Sequence, residues 1–246
     1  MLRVVLEICL TTYILVSGAW HAGWCWERVV PQLEAGGHRA IAPDLIGMGQ
    51  DHTPLSTVTL AKWADQIAAI IREQDEPVVL AGHSRGGIII SEVAERVPQH
   101  IATLAYLAAF LVESGETLMS TATKLPRERP VEISIAQEGG TTLVRPEALD
   151  ATFYNMTESA WVDRARSLVS AEPMAAFTTP LSLTDEKYGS VKRAYIECIN
   201  DYAIPLALQR IMQDALPCSP VFTLETDHSP FYSAPDELSA CLQKIG

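Results

Sequence analysis

The 246-residue sequence predicts an α/β fold with a mostly parallel central sheet flanked by helices. Strand and helix signals alternate up to about residue 110, and the alternation resumes at Val191. Such alternation is typical of right-handed βαβ units, whose strands lie parallel in one sheet. At 246 residues the chain is long enough to bury a substantial core, and its hydrophobic content of 48% agrees with that. We therefore expect one α/β domain that carries an insertion.

The elements of the core are predicted from apolar periodicity and from the residues that end each run. Apolar β-branched runs predict the strands, and apolar residues three or four positions apart predict the helices. In chain order the predicted elements are a strand at 12–16, a helix near 24–35, a strand at 38–42, a helix near 59–74, a strand at 78–81, a helix that ends at Pro98, a strand at 101–105, a strand at 191–199, a strand that begins at Val221 and a helix at 235–245.

Residues 77–98 contain the most informative feature of the sequence, a serine at the apex of a predicted strand–turn–helix. Residues 82–86 read GHSRG and fit the pattern G-x-S-x-G, with Ser84 at the centre. A serine on so sharp a turn has a strained backbone, and residues larger than glycine beside it would collide across the turn. The pattern predicts a nucleophile elbow with Ser84 as the nucleophile. The alternative is a glycine-rich turn whose serine only caps the helix.

A nucleophilic serine needs a base, which in the chain order Ser–acid–His lies after residue 84. Two histidines follow Ser84, and they are His100 and His228. His100 comes just past the helix of the elbow and is interpreted as a surface loop residue. His228 lies in a polar turn after a late predicted strand, where a base that reaches back to the elbow is expected. We predict His228 as the general base, with a solvated turn histidine as the alternative.

The acid that orients His228 is predicted to be Asp201, which follows strand 191–199 at its carboxyl end. Asp227 is a weaker candidate because the side chains of neighbouring residues rarely face each other. Asp214 falls in a predicted helix, and Glu113 follows an earlier strand. The alternative for Asp201 is an ordinary loop aspartate.

An oxyanion hole is expected to combine two backbone N–H groups. The first follows the nucleophile, at Arg85, and the second comes from the loop after strand 12–16. In that loop Gly18 allows close approach of the backbone, and we assign the second donor to Ala19.

The pattern of elements changes after Phe110. Residues 111–186 are predicted to form a cap inserted over the carboxyl ends of the strands, where ligands of open α/β sheets bind. Residues 1–110 and 187–246 then form the core. The alternative is irregular surface structure.

The predicted cap has a proline-rich break at 126–130, a glycine pair at 139–140 and several short amphipathic stretches. Its aromatic and methionine side chains give it apolar faces, which either line a pocket or anchor the segment to the core. The candidate pocket-lining residues of the whole chain are Gly18, Trp20, His21, Phe110 and Trp161. For His21, a histidine packed in its loop is the favoured alternative.

Charge limits the classes of partner. The 18 Lys and Arg residues against 30 Asp and Glu residues give a net charge of −12. This argues against binding to nucleic acid or to an anionic membrane surface, and it disfavours polyanionic substrates. A neutral small-molecule substrate is easier to accommodate.

The five cysteines are odd in number and scattered, with neither metal-ligand spacing nor a disulfide pattern. We expect no metal, and reduced thiols in the cytoplasm. Residues 1–16 are apolar enough to suggest a signal peptide, but Glu7 interrupts the run, and cleavage near Ser17 would destroy the strand and loop of the oxyanion hole. We therefore expect no export, and no stretch approaches a membrane span. The role of residues 1–11 is left open.

Several segments together resemble the α/β-hydrolase superfamily. Within it, the chain is similar to the small plant methylesterase and hydroxynitrile lyase family and its bacterial esterase relatives. The segments that carry the resemblance are LVSGAWHAGWCW at 15–26, LEAGGHR at 33–39, PDL at 43–45, GSVKR at 189–193 and DH at 227–228. The similarity covers nearly everything from Thr12 onward.

The resemblance implies that Ser84, Asp201 and His228 form a catalytic triad, with oxyanion N–H groups from Ala19 and Arg85. It also implies ester hydrolysis, and the bacterial relatives extend the expected substrates to bulky esters such as pyrethroids. The apolar faces of the predicted cap suggest carboxylic esters with a hydrophobic acyl or alcohol part, and acyl transfer through the triad requires no cofactor.

The chain departs from the family pattern at three positions. Ser17 stands where family members usually carry a histidine. Gly18 and Ser229 stand where the family's lyases use a threonine and a lysine, so the resemblance favours ester hydrolysis over cyanide chemistry. Lyase, haloperoxidase or acyltransferase chemistry on the same triad, or a ligand-binding receptor on this scaffold, are the alternatives. A homodimer is one open option for the assembly.

Overall fold

A computed structural model describes residues 10–125 and 132–246 of the chain. The strands in this part are β1 (Thr12–Val16), β2 (Arg39–Ile41), β3 (Val78–His83), β4 (Ile101–Leu107), β5 (Ser134–Gln137), β6 (Thr141–Val144), β7 (Glu172–Pro173), β8 (Arg193–Cys198) and β9 (Val221–Leu224). The α-helices are α1 (Val30–Ala35), α2 (Leu60–Arg72), α3 (Gly86–Arg96), α4 (Leu118–Ala122), α5 (Pro146–Ala148), α6 (Ser159–Leu168), α7 (Ala175–Thr178), α8 (Leu206–Ala215), α9 (Pro230–Ser233) and α10 (Pro235–Ile245).

Six strands form the central sheet in the order β2-β1-β3-β4-β8-β9, and every neighbouring pair is parallel. The prediction of an α/β fold with a mostly parallel sheet is confirmed. Since all six strands run the same way, their carboxyl ends meet at one edge of the sheet.

Both faces of the sheet are covered, which explains the continuous apolar runs of its central strands. Ile14 and Val16 of β1 pack in one apolar cluster with residues of α2, α3 and α8. Tyr13 and Leu15, which point to the other face, pack in a second cluster with residues of α1 and α10.

The helix predicted near 24–35 is divided in two. Gly23–Trp26 forms a single 3₁₀ turn, and α1 begins only at Val30. Pro31 lies in the first turn of α1, where its missing N–H costs nothing, whereas a helix that continued through it would lose a hydrogen bond. The strand predicted at 38–42 is also shorter, because only Arg39–Ile41 pairs with β1.

Residues 111–186, which we call the insert, lie between β4 and β8 in the chain. Its strands form a separate antiparallel sheet in the order β5-β6-β7, an element that the sequence did not predict. Gly139 and Gly140, with φ of 78° and 73°, make the turn between β5 and β6. The proline-rich break at 126–130 and most of residues 1–11 lie outside the described residues. Within those residues, no helix is both long and apolar enough to cross a membrane.

Candidate active site

The candidate catalytic residues follow four strands of the central sheet at its carboxyl edge. Ser84 comes directly after β3, and Ala19 lies in the loop after β1. Asp201 and His228 lie in the loops after β8 and β9. Residues that are distant in the sequence are therefore brought to one side of the fold.

Ser84 occupies a tight turn with a left-handed backbone, at φ 54°. Its N–H donates to the carbonyl of Leu107 at 3.2 Å, and its carbonyl accepts from the N–H of Phe110 at 3.0 Å. A Cβ on Gly82 would lie 2.7 Å from the carbonyl oxygen of Gly86, which is too close for any other residue. The turn has the strained geometry that the sequence pattern predicts for a nucleophile elbow.

His228 is held by Asp201. Its Nδ1 lies 2.7 Å from Oδ2 of Asp201, and both side chains are fully buried. An ionised carboxylate only accepts hydrogen bonds, so Nδ1 carries the proton and Nε2 has a free lone pair. Among the described residues Nε2 has no hydrogen-bond partner, which leaves it available as a base.

Asp201 is surrounded by donors. Its Oδ1 accepts from the N–H groups of Ala203 and Ile204 at 2.7 and 2.8 Å, and Nε2 of Gln209 lies 3.3 Å from Oδ2. Burial raises the pKa of Asp201 above its ordinary value, while His228 and the backbone donors oppose that rise. The donors match an ionised carboxylate and fix its orientation toward His228.

His83 supports His228 from the opposite side, a contact that the sequence analysis missed. Its Nε2 lies 2.8 Å from the carbonyl of His228, so Nε2 carries the proton and donates. The two imidazole rings are 4.6 Å apart between centroids. Burial lowers the pKa of His83 well below its ordinary value, so the ring stays neutral. The only sequence signal was its place beside Ser84 in the G-x-S-x-G pattern.

Asp227, the weaker candidate for the acid, has another role in the fold. Its Oδ1 accepts from the N–H of Ser229 at 3.0 Å and from the hydroxyl of Ser233 at 2.7 Å. Its Oδ2 accepts from Met156 N–H and from the Thr157 hydroxyl, at 2.9 and 2.8 Å. Asp227 therefore ties the loop that carries His228 to the insert.

The other polar candidates lie away from this constellation. His100 ends a 3₁₀ turn just before β4, at the amino end of the sheet. Glu113 pairs with Lys124 at 2.7 Å, and Asp214 is an exposed residue of α8. No group of three or more His, Cys, Asp or Glu side chains in the described parts of the chain is arranged to hold a metal ion.

The predicted oxyanion donors flank Ser84. The N–H groups of Ala19 and Arg85 have no acceptor among the described residues. A Cβ on Gly18 would lie 2.9 Å from Cβ of Ser84, which shows how closely the loop after β1 approaches the nucleophile. Only a glycine fits at this approach, and two N–H groups are left free beside Ser84.

A cavity of about 350 Å³ opens over Ser84. Its walls come from the loops at the sheet edge, from the insert and from the start of α8, and most of the side chains are apolar. The lining residues are Ala19, Trp20, Ser84, Arg85, Phe110, Leu118, Met119, Ala122, Leu125, Ile133, Ser134, Thr142, Phe153, Met174, Phe177, Thr178, Ala203, Ile204, Pro205 and Leu208. Two of the candidate lining residues, Trp20 and Phe110, are among them.

Three candidate lining residues are not part of the cavity wall. Gly18 is packed against His83 and Ser84 and does not face the cavity. Trp161 packs on the ring of Tyr232 with a centroid distance of 4.9 Å, and the guanidinium of Arg28 lies 4.8 Å from the Trp161 centroid. Trp161 therefore packs on the surface of the core and does not face the cavity.

His21 is also buried away from the cavity. Its Nδ1 donates to the carbonyl of Ala19 at 2.7 Å, so its Nε2 must accept from the hydroxyl of Tyr154, 2.5 Å away. Burial lowers the pKa of His21 to about 4. His21 is a neutral residue that holds the loop after β1 against the insert.

Residues 13–240 match the family described as the alpha/beta hydrolase family. Methylesterase 1 of Arabidopsis thaliana is 33% identical, with 95% of each chain covered. A carbendazim hydrolyzing esterase of a Nocardioides species is 31% identical, with 96% of this chain and all of the relative covered. The crystal structure of a pyrethroid hydrolase from Sphingobium faniae superposes with a TM-score of 0.84 at 31% identity, covering 96% of this chain and 97% of the other.

Proposed function

Because the chain belongs to the alpha/beta hydrolase family, we propose that it is a carboxylesterase in which Ser84, His228 and Asp201 act as a catalytic triad. The bond between Nδ1 of His228 and Oδ2 of Asp201, at 2.7 Å, is the observation that carries the proposal. It fixes the tautomer that leaves Nε2 free to accept a proton. The relatives that are named esterases support ester hydrolysis as the reaction.

In the first half of the reaction, the hydroxyl oxygen of Ser84 attacks the ester carbonyl carbon while Nε2 of His228 takes its proton. Asp201 stabilises the imidazolium that forms. The carbonyl oxygen gains the negative charge and receives hydrogen bonds from the N–H groups of Ala19 and Arg85. The alcohol leaves with the proton from His228, and an acyl group remains on Ser84.

In the second half, water attacks the acyl-enzyme. His228 takes a proton from the water and returns one to the oxygen of Ser84 when the acid leaves. The catalytic hydrogen bond between Ser84 and His228 need not be short in the free enzyme, since such bonds tighten when the substrate binds.

The substrate class follows from the cavity. Of the lining side chains that the structure describes, only that of Arg85 is charged, and its guanidinium is held by other groups. A neutral ester with a hydrophobic acyl or alcohol part fits such a wall, and a free carboxylate or phosphate does not. The relatives named as a pyrethroid hydrolase and as a carbendazim hydrolyzing esterase support hydrolysis of a small molecule as the reaction.

Lyase chemistry is the nearest alternative, and the space at Gly18 disfavours it. The related lyases place a threonine there, but a Cβ on Gly18 would lie 2.8 Å from Nδ1 of His83 and 2.9 Å from Cβ of Ser84. A threonine would require these side chains to move. Ester hydrolysis needs no side chain at this position.

Hydrolysis of p-nitrophenyl esters of increasing acyl length tests the proposal. We expect turnover by the wild type and none by Ser84→Ala. Ser167→Ala, at an exposed serine of α6 whose hydroxyl bonds within its own helix, should keep wild-type activity. Turnover by Ser84→Ala would overturn the assignment of the nucleophile. No turnover by the wild type, with ligand-dependent binding of a partner, would indicate a receptor instead.

We also propose a cytoplasmic location, because the scattered cysteines fit reduced thiols, and a homodimer is the assembly that sedimentation would test.

A further inference from the structure

Arg85 and Glu172 form a buried ion pair between the elbow and the insert. Nε of Arg85 lies 3.0 Å from Oε2 of Glu172, and both side chains are almost completely excluded from solvent. Arg85 directly follows the nucleophile, and Glu172 lies in β7 of the insert. A pair of opposite charges therefore connects the two parts of the fold directly beside Ser84.

Two further contacts hold the guanidinium of Arg85. Its Nη2 donates to the carbonyl of Gly18 at 2.7 Å. Its Cζ lies 4.4 Å from the centroid of the Trp63 ring, a distance at which the ring face attracts a cation. The planar guanidinium thus reaches Glu172 and Gly18 at the same time, which the single ammonium of a lysine does not.

The contact with Gly18 bears on the oxyanion hole because of peptide geometry. The carbonyl of Gly18 and the N–H of Ala19 belong to one trans peptide group, so they point in opposite directions. A donor that holds the carbonyl of Gly18 therefore also fixes the direction of the Ala19 N–H. That N–H is the second donor in the proposed reaction.

We propose that Arg85 and Glu172 are positioning residues: the carboxylate of Glu172 holds the guanidinium of Arg85, which orients the Gly18–Ala19 peptide toward the substrate oxyanion. The inference rests on the proposed function, since it assigns a role in stabilising the same tetrahedral intermediate. Because Glu172 belongs to the insert, the insert then contributes to the stabilisation of the oxyanion as well as forming a wall of the cavity.

The pair is costly to bury, which argues against stability as its only role. A buried ion pair usually adds little stability over apolar residues of the same size. Nε and Nη1 of Arg85 and both oxygens of Glu172 lack a well-aligned hydrogen bond among the described residues. Burial also raises the pKa of Glu172 to about 7, although Arg85 and the backbone N–H of Trp20 oppose that rise. A role in orienting the carbonyl of Gly18 explains why the pair is buried there although its burial costs free energy.

The test compares Glu172→Gln with the wild type in the hydrolysis of p-nitrophenyl butyrate. Loss of a whole oxyanion donor lowers kcat by about 10²–10³-fold, and a misdirected donor should cost less. We expect kcat to fall about tenfold in Glu172→Gln while KM changes less than about twofold. Arg85→Lys keeps both buried charges and should show at least the same loss of kcat, so it serves if Glu172→Gln does not fold.

Arg164→Gln is the matched control. Arg164 also joins the insert to the core through an ion pair, with Glu27 at 2.5 Å, but it lies at the exposed surface. It should keep the wild-type kcat. An equal loss of kcat in Arg164→Gln would show that any loosening of the insert has this effect, and it would overturn the proposal.

A second measurement reports on the oxyanion directly. A trifluoromethyl ketone adds to the hydroxyl of Ser84 and places an oxyanion in the hole, whereas the corresponding trifluoromethyl carbinol has the same shape and forms none. Affinity for the ketone should fall about tenfold in both variants, in parallel with kcat, and affinity for the carbinol should not. Unchanged kcat and ketone affinity in both variants, with an active wild type, would overturn this inference alone. An inactive wild type that forms no ketone adduct would overturn both the inference and the proposed function.

Discussion

Nδ1 of His228 and Oδ2 of Asp201 lie 2.7 Å apart, and solvent reaches neither side chain. The residues are 27 positions apart in the sequence and meet because β8 and β9 are parallel neighbours with their carboxyl ends together. The neighbouring loops thus place the proposed acid beside the proposed base.

Asp201→Asn should lower kcat by about 10⁴-fold and leave the protein folded. The amide of asparagine can donate to Nδ1, which would move the ring proton to Nε2 and remove the base. The measurement is kcat on a p-nitrophenyl ester, with the circular dichroism spectrum as a check of folding. Asp214→Asn, at an exposed position of α8, is the control and should behave as the wild type. A loss of less than about tenfold in Asp201→Asn would reject Asp201 as the acid.

Acidification should destabilise the fold through His21. Burial holds the pKa of His21 at about 4 in the folded protein, against 6.5 for a free histidine. Between these values the unfolded chain binds a proton that the folded chain does not, so stability is full above pH 6.5 and falls as the pH drops toward 4. The loss from this residue is of the order of 3 kcal/mol. His83, whose pKa is also lowered by burial, should add to the effect.

Urea unfolding of the wild type and of His21→Asn between pH 7 and pH 4.5 measures this contribution. The variant is less stable at pH 7, because its contacts with Ala19 and Tyr154 are changed. Its free energy of unfolding should nevertheless fall less steeply with acid. Parallel curves for the two proteins would show that His21 is not the group that resists protonation.

Gly18→Ala should reduce kcat at least about tenfold. The added Cβ would lie 2.8 Å from Nδ1 of His83 and 2.9 Å from Cβ of Ser84, so the loop or the nucleophile must shift. Gly189→Ala is the control, since its Cβ would meet its nearest neighbour at an ordinary 3.4 Å. Full activity in Gly18→Ala would mean that the loop after β1 is not closely fitted to the elbow.

Ala122→Phe should shift the preference of the enzyme toward esters with shorter acyl chains. Ala122 belongs to α4 and lines the cavity of about 350 Å³ from the side of the insert. A larger side chain there should lower kcat/KM for long acyl esters more than for the acetate. Ala61→Phe, at an exposed position of α2, is the control and should leave the chain-length profile unchanged. An unchanged profile in Ala122→Phe would indicate that the acyl chain does not bind against α4.

The sequence predicted the strands of the central sheet and the loops that carry the candidate residues, because each strand has an apolar run and each loop begins where that run ends. Ser84 has the glycines of its turn, and Asp201 and His228 each follow a β-branched run. Boundaries were less accurate where a single residue decides them. Pro31 divides the helix predicted near 24–35, because a proline is placed in the first turn of a helix and not in its interior. The sequence alone does not show that a new helix begins at this proline.

Long-range contacts of polar residues could not be predicted. Glu172 meets Arg85 across 87 positions, and no periodicity marks either residue as a member of a pair. His21 was a candidate for the pocket with a packed loop histidine as the favoured alternative, and Trp161 was a candidate because it is an aromatic residue of the predicted cap. Their place is decided by Tyr154 and Tyr232, which belong to segments whose packing is not encoded locally.

The role of Ser84 as the nucleophile is tested by trapping the acyl-enzyme. The wild type is mixed with p-nitrophenyl butyrate, quenched in acid within the first turnovers, digested and examined by mass spectrometry. We expect a butyryl group on the peptide that contains Ser84, attached to that serine and absent in Ser84→Ala. A butyryl group on another residue, or release of p-nitrophenol without any acylated peptide, would contradict it.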